Sequence, residues 1–314
     1  MAEIGSDLEK AKRLLVAGEL VAIPTETVYG LAGDALNISA VTKIFAVKER
    51  PQFDPLIVHV PDLKAAAKYT SEIPDQAKNL AHRFWPGPLT LLLKRNSSIN
   101  DLVTSGLETV GLRCPDHELT QALLHELPFP LAAPSANPFG YISPTRVEHV
   151  QEQLGNQIPY ILDGGPSRIG VESTIVGFEN EMPVIFRLGG ISLEQIEVVA
   201  GTPVVRTYST SNPKSPGQLN SHYAPRKKLV LGNITELIKV HKNKKYGILS
   251  YQQDFGIPYQ FILSATGKSD EAAQNLFSAL RDLDKMPIEI IIAEPVPDVG
   301  LGRAINDRLR RASR

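Results

Sequence analysis

Residues 20–31 read Leu20-Val21-Ala22-Ile23-Pro24-Thr25-Glu26-Thr27-Val28-Tyr29-Gly30-Leu31. The first four form a short apolar run that ends at a proline, the pattern of a buried strand with an abrupt stop. The next residues are polar: two hydroxyls, a carboxylate and a phenol between Pro24 and Gly30. A polar turn at the end of a buried strand is where α/β sheets usually bind ligands. On composition alone, a helix N-cap at Thr25 or Thr27 is the simpler account of the hydroxyls.

Upstream, Leu8, Ala11, Leu14 and Leu15 are spaced for a helix that stops at Gly18. The charged residues between Met1 and Ala17 leave no hydrophobic signal core, so this end reads as helix and not as a secretion leader. Downstream, short apolar strands are expected at 56–60, 89–94, 110–113, 131–134, 161–165, 173–176 and 184–187. Helices are expected around 41–47, 63–69, 73–84, 119–124 and 193–198. This mixture lacks regular strand–helix alternation. It predicts an α+β domain with a twisted mixed sheet, not a doubly wound parallel sheet.

Thr207 to Gly217 has almost no aliphatic content and two prolines, which is linker chemistry. The expected organisation is a domain over 1–200, a linker over 201–226 and a second domain over 227–314. In the last part, strands at 228–231, 246–250, 261–263 and 288–293 alternate with helices at 234–240, 272–283 and 300–311. That predicts a small open α/β sheet.

The chain has 314 residues, which suits about two domains. Lysine plus arginine number 33 against 34 acidic residues, a formal charge of −1. That balance excludes a wholly basic nucleic-acid coat protein but not a local basic patch. Cys114 is the only cysteine, so neither an internal disulfide nor a multi-cysteine metal site is available. A reducing, cytoplasmic setting is expected. No apolar run approaches the ~18 residues that span a bilayer, so no membrane contact is expected.

The common catalytic signatures are absent: no GxxxxGK[ST] loop, no HExxH, no CxxC and no GxSxG. Polar groups nevertheless cluster where strands meet turns. Lys48 and Arg50, two apart before Pro51, can grip a multiply charged anion, although for the pair alone a solvated helix end is the simpler account. His59 lies between Val58 and Val60 and faces the side of its strand opposite to them, where a structural histidine is the simpler account. Arg113 and Arg187 each end a short apolar strand. Ala133-Pro134-Ser135-Ala136-Asn137-Pro138, Ser143 and Glu172-Ser173-Thr174 add hydroxyl-rich turns. Ordinary turn chemistry explains one such cluster readily and three less well. The arginines at 303, 308, 310, 311 and 314 could touch RNA, but a solvated helix face or a partner surface is the simpler account.

In this order, Pro24-Thr25-Glu26-Thr27-Val28-Tyr29-Gly30, Lys48-Glu49-Arg50-Pro51, Pro55-Leu56-Ile57-Val58-His59-Val60, Phe84-Trp85-Pro86-Gly87-Pro88 and Ala133-Pro134-Ser135-Ala136-Asn137 resemble the YrdC-like threonylcarbamoyl-adenylate synthase family. Lys48 and Arg50 with Ser135 and Asn137 look like its paired KxR and SxN motif. Ser215-Pro216-Gly217 and His222-Tyr223-Ala224-Pro225 look like the linker of its longer, two-domain form.

The resemblance implies a concave twisted sheet flanked by helices, with a Rossmann-like C-terminal domain. It implies a nucleotidyltransferase that joins L-threonine, bicarbonate or CO₂ and ATP, with Mg²⁺, into threonylcarbamoyl-adenylate and pyrophosphate. A downstream threonylcarbamoyl transferase complex would use the product to modify adenosine 37 of tRNAs reading ANN codons, and a weak direct contact with tRNA stays open. By similarity Thr27, His59, Arg113 and Ser173 would hold threonine. Arg50, Asp54, Thr109, Ser135, Asn137, Ser143, Arg187 and Tyr223 would hold ATP, with Lys48 and Arg50 as the catalytic cations. The linker would lie over the nucleotide as a lid. Asp54 departs from the pattern, since the family usually has asparagine there. Two other classes remain: an RNA-binding module without catalysis, which the near-neutral charge disfavours, and a carbamoyl-transfer domain, whose zinc-finger module a lone cysteine excludes.

Overall fold

The computed structural model describes residues 1–201, 204–205, 215–216 and 223–314. Much of the expected linker, including His222, lies outside the described residues.

The chain begins with strand β1 (Glu3–Gly5), helix α1 (Leu8–Val16), β2 (Val21–Ile23), β3 (Gly30–Asp34), α2 (Ile38–Lys48) and β4 (Ile57–His59). Then come α3 (Leu63–Ala66), a 3₁₀ turn (Ala67–Tyr69), α4 (Asp75–Phe84), β5 (Leu89–Lys94), α5 (Asp101–Thr104) and β6 (Thr109–Arg113). α6 (Glu118–Glu126), β7 (Leu131–Ala132), α7 (Val147–Leu154), β8 (Tyr160–Leu162), β9 (Thr174–Glu179) and β10 (Met182–Arg187) come next. α8 (Leu193–Ala200) and β11 (Val204–Val205) close this half. The second half comprises β12 (Lys228–Leu231), α9 (Ile234–Val240), β13 (Tyr246–Ser250), β14 (Gln260–Ile262), α10 (Ser269–Lys285), β15 (Ile290–Ala293) and α11 (Gly302–Ala312).

Strands β1 to β11 form one mixed sheet in the order β1-β8-β2-β3-β7-β4-β6-β5-β9-β10-β11. The second sheet, β12-β15-β13-β14, is parallel throughout. Both architectures match the sequence-based expectation. No helix among the described residues is long and apolar enough to cross a membrane.

Three expectations are corrected. The stretch before Ala17 is not all helix, because Glu3–Gly5 pairs in parallel with Tyr160–Leu162; a three-residue edge strand carries too little periodicity to be read. No helix starts at Thr25. Its hydroxyl bonds within its own turn, donating to the Val28 carbonyl at 2.6 Å and accepting from the Val28 N–H at 3.2 Å, and the chain continues into β3 antiparallel to β2. Finally, α7 forms where no helix is expected, although Val147, Val150 and Leu154 have helical spacing and are buried.

The central strands aim the site. Along β4, Val58 enters the main core while Ile57 and His59 face a cavity on the other side. Along β6, Val110 and Leu112 are core and Arg113 faces that cavity. His59 sits opposite Arg113 in the ladder, and Arg113 opposite Thr90, so strand alternation lines the three up across one face.

The two halves share a core. Val28, Ile142, Val171 and Tyr223 pack in one cluster with Leu276, Phe277, Leu280 and Ile305. Buried Arg281 donates to the carbonyls of Ile142 and Ser143 and stacks over Tyr141 at 5.0 Å. Gly170, at φ +80°, lies so close to α10 that a Cβ would stand 2.4 Å from the Ala273 carbonyl oxygen.

Candidate active site

The cavity behind His59 and Arg113 is small, about 50 Å³, room for a few waters. Its walls include Val28, Arg50, Ile57, His59, Arg113, Ser135, Glu172, Arg187, Pro216 and Tyr223. A wider cleft of about 580 Å³ opens nearby between Pro86–Pro88, Asp116, Arg168, Ser192, Asp270 and Leu301. Among the described residues Arg168 is the only cation on its walls, and that arginine is paired with Asp116. The smaller cavity gathers more of the expected site residues, among them Arg50, His59, Arg113, Ser135, Arg187 and Tyr223.

Arg113 ends β6. Its Nη2 lies 2.8 Å from Glu26 Oε2 and donates to Thr27 Oγ1 at 2.8 Å, while its buried Nε has no hydrogen-bond partner. Beside it, His59 is 2% exposed and neither ring nitrogen makes a well-formed hydrogen bond. Burial, reinforced by Arg113, pushes its pKa well below the usual histidine range, against a weaker opposing pull from the Leu131 backbone. A neutral imidazole and a guanidinium thus present unused polar atoms side by side. Buried polar groups are nearly always paired, which makes this pair a candidate ligand contact.

Arg187 ends β10. It donates through Nε to the Ser173 carbonyl at 3.0 Å, through Nη2 to Ser173 Oγ at 2.9 Å, and through Nη1 to the Pro216 carbonyl at 3.3 Å. Ser173 Oγ also shares a proton with Thr90 Oγ1 at 2.8 Å. Gly189 is what lets this turn close, since a Cβ there would meet the Glu172 carbonyl oxygen at 2.3 Å.

Lys48 closes α2 and is 1% exposed. Its Nζ donates to the carbonyls of Ser135 and, at 2.6 Å, Asn137. Burial, then the neighbouring Arg50, lowers its pKa well below the usual lysine value. The Asn137 amide donates to the carbonyls of Pro138 and Tyr141 at 2.8 and 2.9 Å, so the paired motif holds one loop in shape. Arg50 donates to the carbonyls of Asp54 and Pro55 and pairs with Asp54 Oδ2 at 2.9 Å. That ion pair offsets part of the cost of burying the Asp54 carboxylate.

Ser143 Oγ donates to Glu172 Oε1 at 2.6 Å, and Tyr223 stacks on Phe277 with centroids 5.7 Å apart. Tyr223 has φ +64°, uncommon for a bulky side chain and typical of functional sites. Of the expected residues, Thr109 stands apart. It begins β6, four residues from Arg113, and lines a separate hollow with Glu72, Lys94 and Glu181.

Four contributors were not among the expected site residues: Glu26, Thr90, Glu172 and Arg308. For Arg308 the expectation is corrected. It does not lie on a solvated face but is fully buried, with Nε donating to Glu172 Oε2 at 2.8 Å. Its spacing from Ala304, Ile305 and Ala312 puts it on the buried stripe of α11.

A family model described as "Telomere recombination", covering Sua5, YciO and YrdC, matches residues 13–189. A second, "Threonylcarbamoyl-AMP synthase, C-terminal domain", matches residues 191–314. The threonylcarbamoyl-AMP synthase of Bacillus subtilis is 42% identical, covering 98% of this chain and 92% of its own length. This chain belongs to the threonylcarbamoyl-AMP synthase family. The family's Pyrococcus abyssi member is 43% identical over 94% of this chain and 91% of its own. The crystal structure of P. abyssi Sua5 complexed with L-threonine superposes with a TM-score of 0.92 at 39% identity, covering 98% of this chain and 94% of that one. The fold of this synthase family is therefore that of the whole chain described here.

Proposed function

We propose that the protein is a nucleotidyltransferase that makes threonylcarbamoyl-adenylate and pyrophosphate from L-threonine, bicarbonate or CO₂ and ATP. The observation that carries this reading is the adjacent His59 and Arg113, which present buried polar atoms without well-formed hydrogen bonds on one cavity wall. An amino acid brings a carboxylate for the guanidinium and a hydroxyl for the imidazole, with Thr27 and Ser173 at hand. The P. abyssi relative crystallised with L-threonine supports the choice of amino acid.

Around this cavity Lys48, Arg50, Arg113, Arg187 and Arg308 are buried with Glu26, Asp54 and Glu172. The cationic excess suits a triphosphate. In the proposed mechanism Arg113 takes the threonine carboxylate, which leaves the amine free to attack CO₂. The carbamate oxygen then attacks the α-phosphorus, and pyrophosphate leaves. Arg50 and Arg187 offset the charge that accumulates in the transition state. Lys48 fixes the Ser135–Asn137 loop against the nucleotide. No covalent nucleophile is required, so catalysis rests on positioning and charge stabilisation. Ser135, Asn137, Ser143 and Tyr223 complete the proposed nucleotide wall. Thr109 joins it only if the nucleotide reaches along β6. Because the cavity is water-sized, nucleotide binding requires the wall at Pro216 to give way.

Among the described residues no group of three or more His, Cys, Asp or Glu side chains could hold a metal ion. Mg²⁺ is therefore proposed to arrive on the triphosphate, as part of the substrate. A cytoplasmic transferase that carries the product to tRNA is the proposed consumer, and Cys114, a buried free thiol, suits such a reducing compartment.

The test is incubation of the pure protein with ATP, bicarbonate and labelled L-threonine. Threonine-dependent pyrophosphate release is expected. Its absence would overturn the reading.

A further inference from the structure

Arg308 belongs to the last helix, yet its contacts run to the cavity wall of the other half. Nε donates to Glu172 Oε2 at 2.8 Å, and Nη2 donates to the carbonyl of Leu188, the residue after Arg187, at 3.0 Å. The guanidinium centre lies 4.9 Å from the Tyr223 ring centroid. On its far side Nη1 donates to Asp307 at 2.8 Å. Glu172, Arg187 and Tyr223 all line the cavity, whereas Arg308 does not.

We propose that Arg308 is a positioning residue for the nucleotide, through which the C-terminal half sets the charge and shape of the binding cavity. The inference rests on the reading of this cavity as the ATP site. Glu172 is the carboxylate on the cavity wall that an incoming triphosphate would face. Burial alone would lift its pKa, but Arg308, Arg187 and the Ser143 hydrogen bond together outweigh burial and hold it below the usual carboxylate range. Without Arg308 the charge on Glu172 would repel phosphate and draw Arg187 away from it. Arg308 also braces the Tyr223 ring, which Phe277 supports from α10. Only arginine combines a planar fork with an aromatic stack, so lysine at 308 would keep the charge and lose the geometry.

The experiment uses the full-length protein with Arg308→Met, Arg308→Lys, Glu172→Gln and the double variant R308M/E172Q. Calorimetry gives ATP and L-threonine affinities, pyrophosphate release gives KM and kcat, and melting temperature identifies the folded range. Arg308→Met is expected to weaken ATP by about tenfold or more, the usual scale for breaking a buried charge pair. Threonine affinity should fall less than ATP affinity, because Arg308 reaches the threonine side only indirectly, through Arg187 and Ser173. In the Glu172→Gln background the same change should cost ATP binding much less, because the repelling charge is gone. A structural defect would not be relieved in this way. Arg308→Lys should fall between wild type and Arg308→Met.

Unchanged ATP affinity in Arg308→Met, or equal loss of ATP and threonine, would overturn the proposal. A double variant as weak as Arg308→Met would do the same. Should Arg308→Met fail to fold, wild-type ATP affinity in Arg308→Lys would overturn it. If wild type binds ATP but releases no threonine-dependent pyrophosphate, the proposed activity fails, and the binding measurements still decide the role of Arg308.

Discussion

Glu26 Oε2 lies 2.8 Å from Arg113 Nη2, with the glutamate side chain fully buried and the arginine 5% exposed. The arginine proposed to receive a substrate carboxylate is already held by a carboxylate of its own chain. Its Nε stays unused, so a ligand can add to the pair and need not break it.

Arg113→Ala should therefore have two effects. Threonine binding is lost while much of the ATP affinity remains. Glu26 is left buried and unpaired, which lowers stability by roughly 3–5 kcal/mol. Adding Glu26→Gln should return part of the stability but none of the threonine binding. Calorimetry with each ligand and urea denaturation separate the two; parallel loss of both ligands would remove the assignment.

Asp54 is fully buried and paired with Arg50. Burial lifts its pKa while Arg50, Lys48 and Arg187 pull it down, and burial prevails. Asp54→Asn keeps the shape and frees the Arg50 fork for phosphate. The KM for ATP should fall by about two- to fivefold as a buried negative charge leaves the site. A higher KM would mean that the carboxylate assists the nucleotide.

Lys48→Met tests the loop clamp. A buried carbonyl, of Asn137, and a part-buried one, of Ser135, lose their donor, at roughly 1–3 kcal/mol for the buried one and less for the other. Turnover should drop by about 100-fold, the scale for losing a preorganised donor. Urea denaturation and steady-state kinetics measure the two effects. Unaltered stability would place the lysine elsewhere in the reaction.

His149 gives a pH signature away from the cavity. The Thr145 N–H donates to its Nδ1 at 3.2 Å. Burial, then Arg281, Arg146 and Lys285, push its pKa down to about 3. The unfolded chain takes up a proton near pH 6.5 and the folded protein does not until about pH 3. The stability contributed above pH 6.5 is thus lost as pH falls through that window, by about 2 kcal/mol at pH 5. His149→Gln should flatten the urea midpoint between pH 7 and 5. His59 shifts in the same direction and preserves part of the slope. A variant curve parallel to wild type would exclude His149.

The central strands are legible because alternation is local. Val58 against His59, and Leu112 against Arg113, can be assigned to opposite faces from neighbouring residues alone. The family motifs add the order of the loops. Partner choice is not legible. Nothing beside Glu26 marks Arg113 as its counter-ion, since the turn after β2 and the end of β6 meet only in the folded sheet. The sandwich of Tyr223 between Phe277 and Arg308 depends on how two sheets dock. Arg308 is misread because its charge outweighs its place on the apolar stripe, although spacing alone assigns it to the buried side.

The common core that joins Val28, Ile142 and Tyr223 to Leu276 and Ile305 has a consequence for chain integrity. Packing across the two sheets and the Arg281 contacts help to keep Arg308 on Glu172. A single peptide-bond cleavage in the joining segment would leave two fragments held in register as a noncovalent heterodimer. Loss of the intact band on a denaturing gel and loss of catalysis would then run on different time courses.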